Sequence, residues 1–400
     1  MTMRTPVCDL LGIEYPIFGF SPSEEVAAAV SRAGGLGVLG CVRFNDPAEL
    51  DAALDWMDAN TDGRPYGVDV VMPARVPTEG AVRDLEQMIP QPHRDFVQRT
   101  LLDLGVPPLP DGAPDTDGVM GWLHSVARKH VEVALAHPAR LIANALGPPP
   151  QDIIATAHER GMLVAALAGK AAHAQAQVAS GVDIVIAQGY EAGGHTGEIG
   201  SMVLIPEIVD AVGDRATVLA AGGIGCGRQV AAALALGAAG VWMGSAWLLT
   251  REYAQMTAAP GVQQALLAAT SSDTVRSRIY SGKPARLLKN RWTAAWEQPG
   301  APEPLRMPLQ NLLVADAHQR LMRSGQPDVV PMPAGQIVGR ISEIRPVAEV
   351  MESLIAETDE ALRSVCPGGR TPQTPPSGNA GPGGRPPQTP PRPRRPGDQR

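Results

Sequence analysis

Apolar runs and amphipathic stretches alternate along the chain from residue 16 to residue 245. The apolar runs are continuous over five to eight residues, which is typical of strands buried on both faces of a parallel sheet. Eight such runs predict strands at 16–20, 36–40, 66–72, 140–146, 162–169, 182–189, 216–223 and 239–245.

The stretches between these runs carry an Ala-rich helical pattern, and each ends in or near a glycine or asparagine, the usual helix stop. Strands alternating with helices indicate an α/β fold whose helices cover the outer face of the sheet. Eight is the number of strands that closes a (β/α)₈ TIM barrel. A doubly wound open sheet is the alternative, but no G-x-G-x-x-G string opens the first helix.

The remaining segments depart from a minimal barrel. We assign 1–72 and 140–250 to the barrel. Residues 73–139 are too long for a simple connection after strand 3, and their helical patterns at 78–89 and 121–136 predict a helical insertion or lid. Residues 251–365 have helical patterns broken by prolines and predict a small C-terminal helical cap. The Gly-, Pro- and Arg-rich repeat at 366–400 cannot bury a core, so we expect a disordered tail.

Composition narrows the possible partners. A net charge of −7 without a basic cluster in the body argues against nucleic acid. The four cysteines form no CxxC pair, which fits a reducing cytoplasm and indicates no metal site. The N-terminus lacks the apolar region of a secretory signal.

The uncharged stretch 230–249 is long enough to span a membrane, but its glycines favour a helix followed by a strand. We therefore expect no membrane contact; the oligomeric state stays open.

The sixth run leads into "QGYEAGGHTG" at 188–197, which places four glycines around one histidine. In a TIM barrel the active site lies at the carboxyl ends of the strands. Glycines there let the backbone approach another group closely, and His195 is the side chain that can move a proton near neutral pH. The alternative is an ordinary histidine in a surface loop.

The seventh and eighth runs end in "AAGGIGCG" and "GVWMGS". The loops after these two strands commonly hold a phosphate in such barrels, through backbone N–H groups and a helix N-terminus. Gly222, Gly223 and Gly225 are candidates on the first loop, and Ser245 can add a hydroxyl on the second. A plain tight turn is the alternative for the glycines.

Several strings together resemble the nitronate monooxygenase family, formerly the 2-nitropropane dioxygenases. They are "AAAVSRAGGLGVLG" at 27–40, "AQGYEAGGHTG" at 187–197, the run at 219–248, "SGKPARLLKNRW" at 281–292 and "GQIVGRI" at 335–341. Members of this family are FMN-dependent (β/α)₈ barrels, and the similarity extends roughly over residues 6–350.

The resemblance implies roles by position. His195 matches the catalytic base that takes the α-proton of a nitroalkane. The positions implied to bind FMN are Gln188, Gly193 and Gly194 beside the flavin, and Gly222, Gly223, Gly244 and Ser245 around its phosphate.

Three places in the sequence would affect the surroundings of the flavin. The family usually has Ala-Pro-Met near the end of the first strand, where this chain has "FGFS" at 18–21. The strand-3 asparagine that often meets the flavin is Asp69 here, and a carboxyl group there must be protonated, paired or turned away. Lys170, after strand 5, either supplies positive charge near the flavin N1 or is an ordinary lysine at a helix start.

The favoured function is therefore an FMN-dependent oxidoreductase, a nitronate monooxygenase that oxidises alkyl nitronates with O₂ to a carbonyl compound and nitrite. One alternative is an NAD(P)H-dependent flavin reductase acting on quinones or enoyl thioesters. Another, of a different class, is a binding or scaffold protein acting through the Pro/Arg-rich tail, which contains a PxxP string.

Overall fold

A computed structural model describes residues 3–72, 85–109, 124–256 and 259–365. It confirms the predicted TIM barrel: eight parallel strands close in the order β1-β2-β3-β4-β5-β6-β8-β9. Each of them falls at one of the eight predicted runs. The barrel strands are β1 (Ile17–Ser21), β2 (Leu36–Gly40), β3 (Tyr66–Val70), β4 (Leu141–Asn144), β5 (Leu163–Ala168), β6 (Ile184–Gln188), β8 (Thr217–Ala221) and β9 (Gly240–Met243).

Helices cover the outer face of the barrel, as the pattern predicts, and polar side chains fix where some of them begin. Ser23 accepts a hydrogen bond from the Val26 N–H at the start of α2, and Asp46 accepts one from Ala48 at the start of α3. The α-helices are α1 (Pro6–Leu11), α2 (Glu24–Arg32), α3 (Pro47–Asn60), α4 (Gln91–Asp103), α5 (His124–Ala136), α6 (Gln151–Glu159), α7 (Ala171–Ala179), α8 (Ser201–Val212), α9 (Gly227–Ala235), α10 (Ala259–Ala268), α11 (Arg291–Ala295), α12 (Leu309–Arg323) and α13 (Val347–Val365).

The strands are apolar on both faces because each face packs against a separate core. One core lies between the sheet and the helices, and the other fills the barrel. Inside the barrel the rings of Phe18 and Phe20 both stack on Trp242, with centroids 6.2 and 6.0 Å apart. The "FGFS" string therefore places an aromatic stack within the barrel. Other residues of the inner core are Leu36, Val38, Leu141, Ala143, Ala165, Ile184, Ile186, Leu219 and Ala221.

The uncharged stretch 230–249 is divided, as predicted, between helix α9 and strand β9, and a 3₁₀-helix that was not predicted, Ser245–Leu249, follows. Among the described residues, no helix is both long and apolar enough to cross a bilayer.

The C-terminal cap contains helices α10 to α13 and also two strands that the sequence analysis does not predict. These are β10 (Thr274–Ser277) and β11 (Ala285–Leu288), which pair antiparallel with each other. Strand β11 also pairs with β7 (Gly194–His195), so the cap holds the glycine-rich motif by backbone hydrogen bonds. Four-residue strands are too short to show a periodic pattern.

Within the described part of the insertion 73–139, α4 packs on this cap, whereas α5 packs on the barrel, against α3 and β3. Helix α5 agrees with the predicted pattern at its end, whereas α4 is not predicted. Helix α4 lies against α12 in a third apolar cluster that includes Leu101 and Trp292. The buried guanidinium of Arg320 on α12 donates to the carbonyl oxygens of Val106 and Pro107 at 3.1 and 3.0 Å. The other predicted insertion helix lies largely within 73–84, and the predicted disordered tail covers 366–400. Both of these segments lie outside the described residues.

Candidate active site

The carboxyl ends of the barrel strands bring two polar side chains inside the barrel. Asp69 on β3 is in register with Ala143 on β4, and Gln188 on β6 is in register with Ala221 on β8. Because Ala143 and Ala221 belong to the inner core, the side chains beside them also face inward. Asp69 and Gln188 thus lie above the apolar filling of the barrel.

Neither of these side chains has a hydrogen-bond partner among the residues that the structure describes. Asp69 is only 5% exposed, and burial raises its pKa well above the ordinary range. Buried polar groups are normally paired, so an unpaired carboxyl and amide at a barrel mouth are groups that a polar ligand would satisfy. This observation fits a flavin ring, whose edge carries several donors and acceptors.

His195 lies on β7, beside this opening, and is held by the cap. Its Nε2 is 2.6 Å from the Ser281 hydroxyl oxygen, and its backbone pairs with Ala285. The Tyr280 ring stands edge-on to the imidazole, with centroids 6.2 Å apart. Burial, and then the positive charge of Lys283, lower the pKa of His195 to about 4. The imidazole is therefore neutral at physiological pH.

The contact with Ser281 determines which nitrogen of His195 is free. Nδ1 makes no hydrogen bond with any described residue. In the tautomer that carries its proton on Nε2, the ring donates to Ser281 and keeps the Nδ1 lone pair for a proton from a substrate.

The glycines of the motif are required by the backbone around them. A Cβ on Gly193 would lie 2.7 Å from the Gly335 nitrogen and 2.8 Å from the Ala334 carbonyl carbon. Gly194 has a φ of 72°, in the left-handed region that favours glycine. In the described structure, therefore, the close approach at Gly193 is to the backbone of the cap.

Glu191, the acidic residue of the motif, has a structural role. Its carboxylate accepts hydrogen bonds from the Ser201 backbone N–H and hydroxyl, at 3.0 and 2.9 Å, at the start of α8. A carboxylate at a helix N-terminus caps the free N–H groups and interacts favourably with the helix dipole. Gly189 leaves room for this cap, because a Cβ there would lie 2.0 Å from the Ser201 hydroxyl oxygen.

The two predicted phosphate loops adjoin the same region. Gly222 and Gly223 have φ values of 96° and 72°, and their N–H groups donate to no described residue. After β9, the Ser245 hydroxyl oxygen accepts a hydrogen bond from the Gly335 N–H at 2.8 Å, and its own proton remains available. The Gly225 N–H, in contrast, donates to the Gln229 side chain at 3.0 Å. Gly244 precedes Ser245 on the second loop.

Lys170 forms no hydrogen bond or ion pair with any described residue of this region. It is exposed and immediately precedes α7. Its clearest electrostatic effect is on His173, whose pKa is lowered by burial and then by the Lys170 charge. Neither of the two roles weighed for Lys170 is decided by these contacts.

Three cap residues that support the site were not predicted from the sequence: Ser281, Tyr280 and Arg286. Arg286 is 3% exposed, and its Nε and Nη2 donate to the Tyr190 carbonyl oxygen at 3.2 and 2.9 Å. The family-like string at 281–292 drew attention to this segment. The contact between Ser281 and His195, which are more than 80 residues apart in the sequence, is seen only in the structure.

Comparisons with known proteins identify the family of this chain. The family model for nitronate monooxygenases matches residues 4–357. A Mycobacterium tuberculosis protein, named as a monooxygenase without a substrate, is 48% identical over 368 residues, 89% of this chain and 96% of the relative. A nitronate monooxygenase, as it is named, of Staphylococcus aureus strain N315 is 28% identical over 379 residues, 91% of this chain and 99% of the relative.

Two solved structures cover nearly the whole chain. The nitroalkane oxidase from Streptomyces ansochromogenes superposes with a TM-score of 0.74 at 29% identity, over 90% of this chain and 99% of the other. FabK from Thermotoga maritima gives a TM-score of 0.69 at 27% identity, over 91% and 98%.

These matches include the insertion and the cap as well as the barrel. The fold and the groups at its strand ends thus define an enzyme of the flavin-dependent oxidoreductase class built on a TIM barrel. Within that class, the chain belongs to the nitronate monooxygenase family.

Proposed function

We propose that this enzyme oxidises alkyl nitronates with O₂ to a carbonyl compound and nitrite, using noncovalently bound FMN. The observation that carries the proposal is His195, a neutral imidazole with a free Nδ1 at the mouth of the barrel. A family member with such a base can act both on the nitronate and on the nitroalkane from which it forms. We also propose that it works in the cytoplasm.

FMN supplies the electron-transfer chemistry when it is bound. Asp69 and Gln188 would face its ring, and the N–H groups of Gly222 and Gly223, with the Ser245 hydroxyl, would hold its phosphate. FMN rather than FAD is proposed because the sequence contains no dinucleotide-binding fingerprint. Release of FAD, or of no flavin, from heated protein would contradict this assignment.

His195 moves one proton in the proposed reaction. A neutral nitroalkane must lose its α-proton before it can be oxidised, and Nδ1 can accept it while Ser281 holds Nε2. With a pKa of about 4, the imidazole is in its basic form over the whole neutral range. A nitronate has already lost this proton and does not need the base.

The test is the His195→Asn variant, assayed on a nitroalkane and on the nitronate derived from it. We expect nitroalkane turnover to fall about 10²–10⁴-fold, the usual contribution of a general base. Nitronate turnover should fall much less, and FMN should stay bound. His158→Asn is a matched control, because His158 is a surface histidine paired with Asp183 on the outside of the barrel.

Other results of these assays would support a different role for His195 or a different function for the protein. Equal losses on both substrates would mean that His195 positions substrate, and no loss on either would mean that it is structural. Rapid bleaching of the flavin by NAD(P)H without oxygen would favour a flavin reductase instead. A colourless purified protein that takes up no flavin would favour a binding protein.

A further inference from the structure

Asp69 combines three features that rarely occur together. It faces the inside of the barrel at the end of a strand, its side chain is buried, and its carboxyl group has no hydrogen-bond partner among the described residues. An ionised carboxylate in that position would be costly, because burial removes its water and nothing described here replaces it.

Among the described residues, the surroundings of Asp69 offer no compensating positive charge. The inner core of the barrel is apolar, and the Phe20 ring packs against it; Gln188, the other polar side chain that faces inward at the strand ends, carries a neutral amide. On the next strand, β4, the Asn144 amide is already bonded to the backbone of Met72. The titratable group beside Asp69 is the Cys41 thiol, just after β2, and its pKa is raised by burial and then by Asp69. The thiol is therefore neutral too.

We propose that Asp69 is held protonated and donates its carboxyl proton to an acceptor atom of the bound flavin ring. A neutral carboxyl is a donor, which an ionised one is not. The inference rests on the proposed FMN site and deepens it, because a protonated carboxyl is a donor that can be lost by titration.

The pH dependence follows from the sign of the shift. A carboxyl whose pKa is raised by folding favours the folded and bound states at low pH, and this contribution is lost as pH rises through its pKa. Above that pKa, the buried carboxylate would face the acceptor atom with negative charge. FMN binding should therefore weaken in alkaline solution, whereas the same site with an amide should not change.

The experiment measures the Kd of FMN by fluorescence quenching, from about pH 6 to about pH 10, for the wild-type protein and for Asp69→Asn. The wild-type Kd should be constant at first and then rise about tenfold per pH unit above the pKa of Asp69, the slope for loss of one proton. The Kd of Asp69→Asn should lack this rise, and the variant also corrects for titration of the flavin itself.

A second measurement needs no flavin and no activity. The infrared band of a protonated carboxylic acid should be present in the flavin-free wild-type protein at neutral pH and absent from Asp69→Asn. A missing band, or a Kd that depends on pH equally in both proteins, would overturn the role of Asp69. Failure of the wild-type protein to bind FMN at any pH would instead overturn the proposed function, so the two failures are distinguishable.

Discussion

Replacing Gly193 by alanine should damage the site more than the same change one residue later. The added Cβ would lie 2.7 Å from the Gly335 nitrogen and 2.8 and 2.9 Å from two backbone atoms of Ala334. Nonbonded atoms normally stay about 3.5–4.0 Å apart. All three contacts are with backbone, so no side chain can rotate away, and the segment containing Ala334 and Gly335 must move.

That movement has a cost that can be estimated from the contacts it disturbs. The Gly335 N–H donates to Ser245 at 2.8 Å, and the Gln336 N–H donates to the Glu191 carbonyl oxygen at 3.0 Å. Overpacking costs about 1–3 kcal/mol, and each hydrogen bond is worth about 1 kcal/mol. We expect Gly193→Ala to lower the free energy of unfolding by about 2–4 kcal/mol, or the Tm by about 4–8 °C at roughly 2 °C per kcal/mol.

Gly194→Ala is the matched control. Its added Cβ would meet nothing closer than Pro333 at 4.0 Å, and only the left-handed φ of 72° opposes it, at about 1–2 kcal/mol. Thermal unfolding and FMN titration of both variants check the reasoning, because displacing Gly335 should also disturb Ser245. If Gly193→Ala were as stable as Gly194→Ala and bound FMN equally well, the contact with the cap backbone would not be what selects glycine.

Variants at two further positions test other contacts. Arg286→Met removes the buried guanidinium that donates to the Tyr190 carbonyl oxygen, so we expect a loss of about 2–4 kcal/mol in the free energy of unfolding. Arg286→Lys should recover only part of this loss, because an ammonium lacks the two parallel N–H donors of the guanidinium. An unchanged denaturation midpoint in Arg286→Met would contradict this. Burial lowers the pKa of His137, but hydrogen bonds to Asp58 and Asp51 outweigh it and raise the pKa. Its stabilisation should therefore be full below about pH 6.5 and be lost as pH rises through the raised pKa. Denaturant titrations across this range should show that His137→Gln removes the decline; the same decline in the variant would assign it to another group.

Sequence patterns predicted the barrel because its strands are buried on both faces. A continuous apolar run such as that of β6 marks such a strand without any tertiary information. The strand ends then place His195 and the glycine turns at one edge of the fold. The prediction succeeds for these strands because their consecutive residues are all buried and therefore all apolar.

The cap and the insertion were harder to predict for a physical reason. Helix α4 buries only Val97, Thr100 and Leu101, too few apolar positions to show a helical face. Strand β11 is four residues long and pairs with a two-residue strand. The hydrogen bond between His195 and Ser281 depends on how two distant segments meet, which neither local propensity nor spacing reports.

The attachment of His195 to β11 and Ser281 means that this side chain is supported from outside the barrel. The barrel loops around Gly222 and Ser245 are built from barrel strands, whereas the support of the histidine is contributed by the cap, on which α4 of the insertion also packs. Substitutions in the cap can therefore move His195 while the residues that fill the barrel stay the same. Relatives with one cofactor can diverge in substrate through such changes, and the long insertion of this chain is the segment where that divergence is expected to appear.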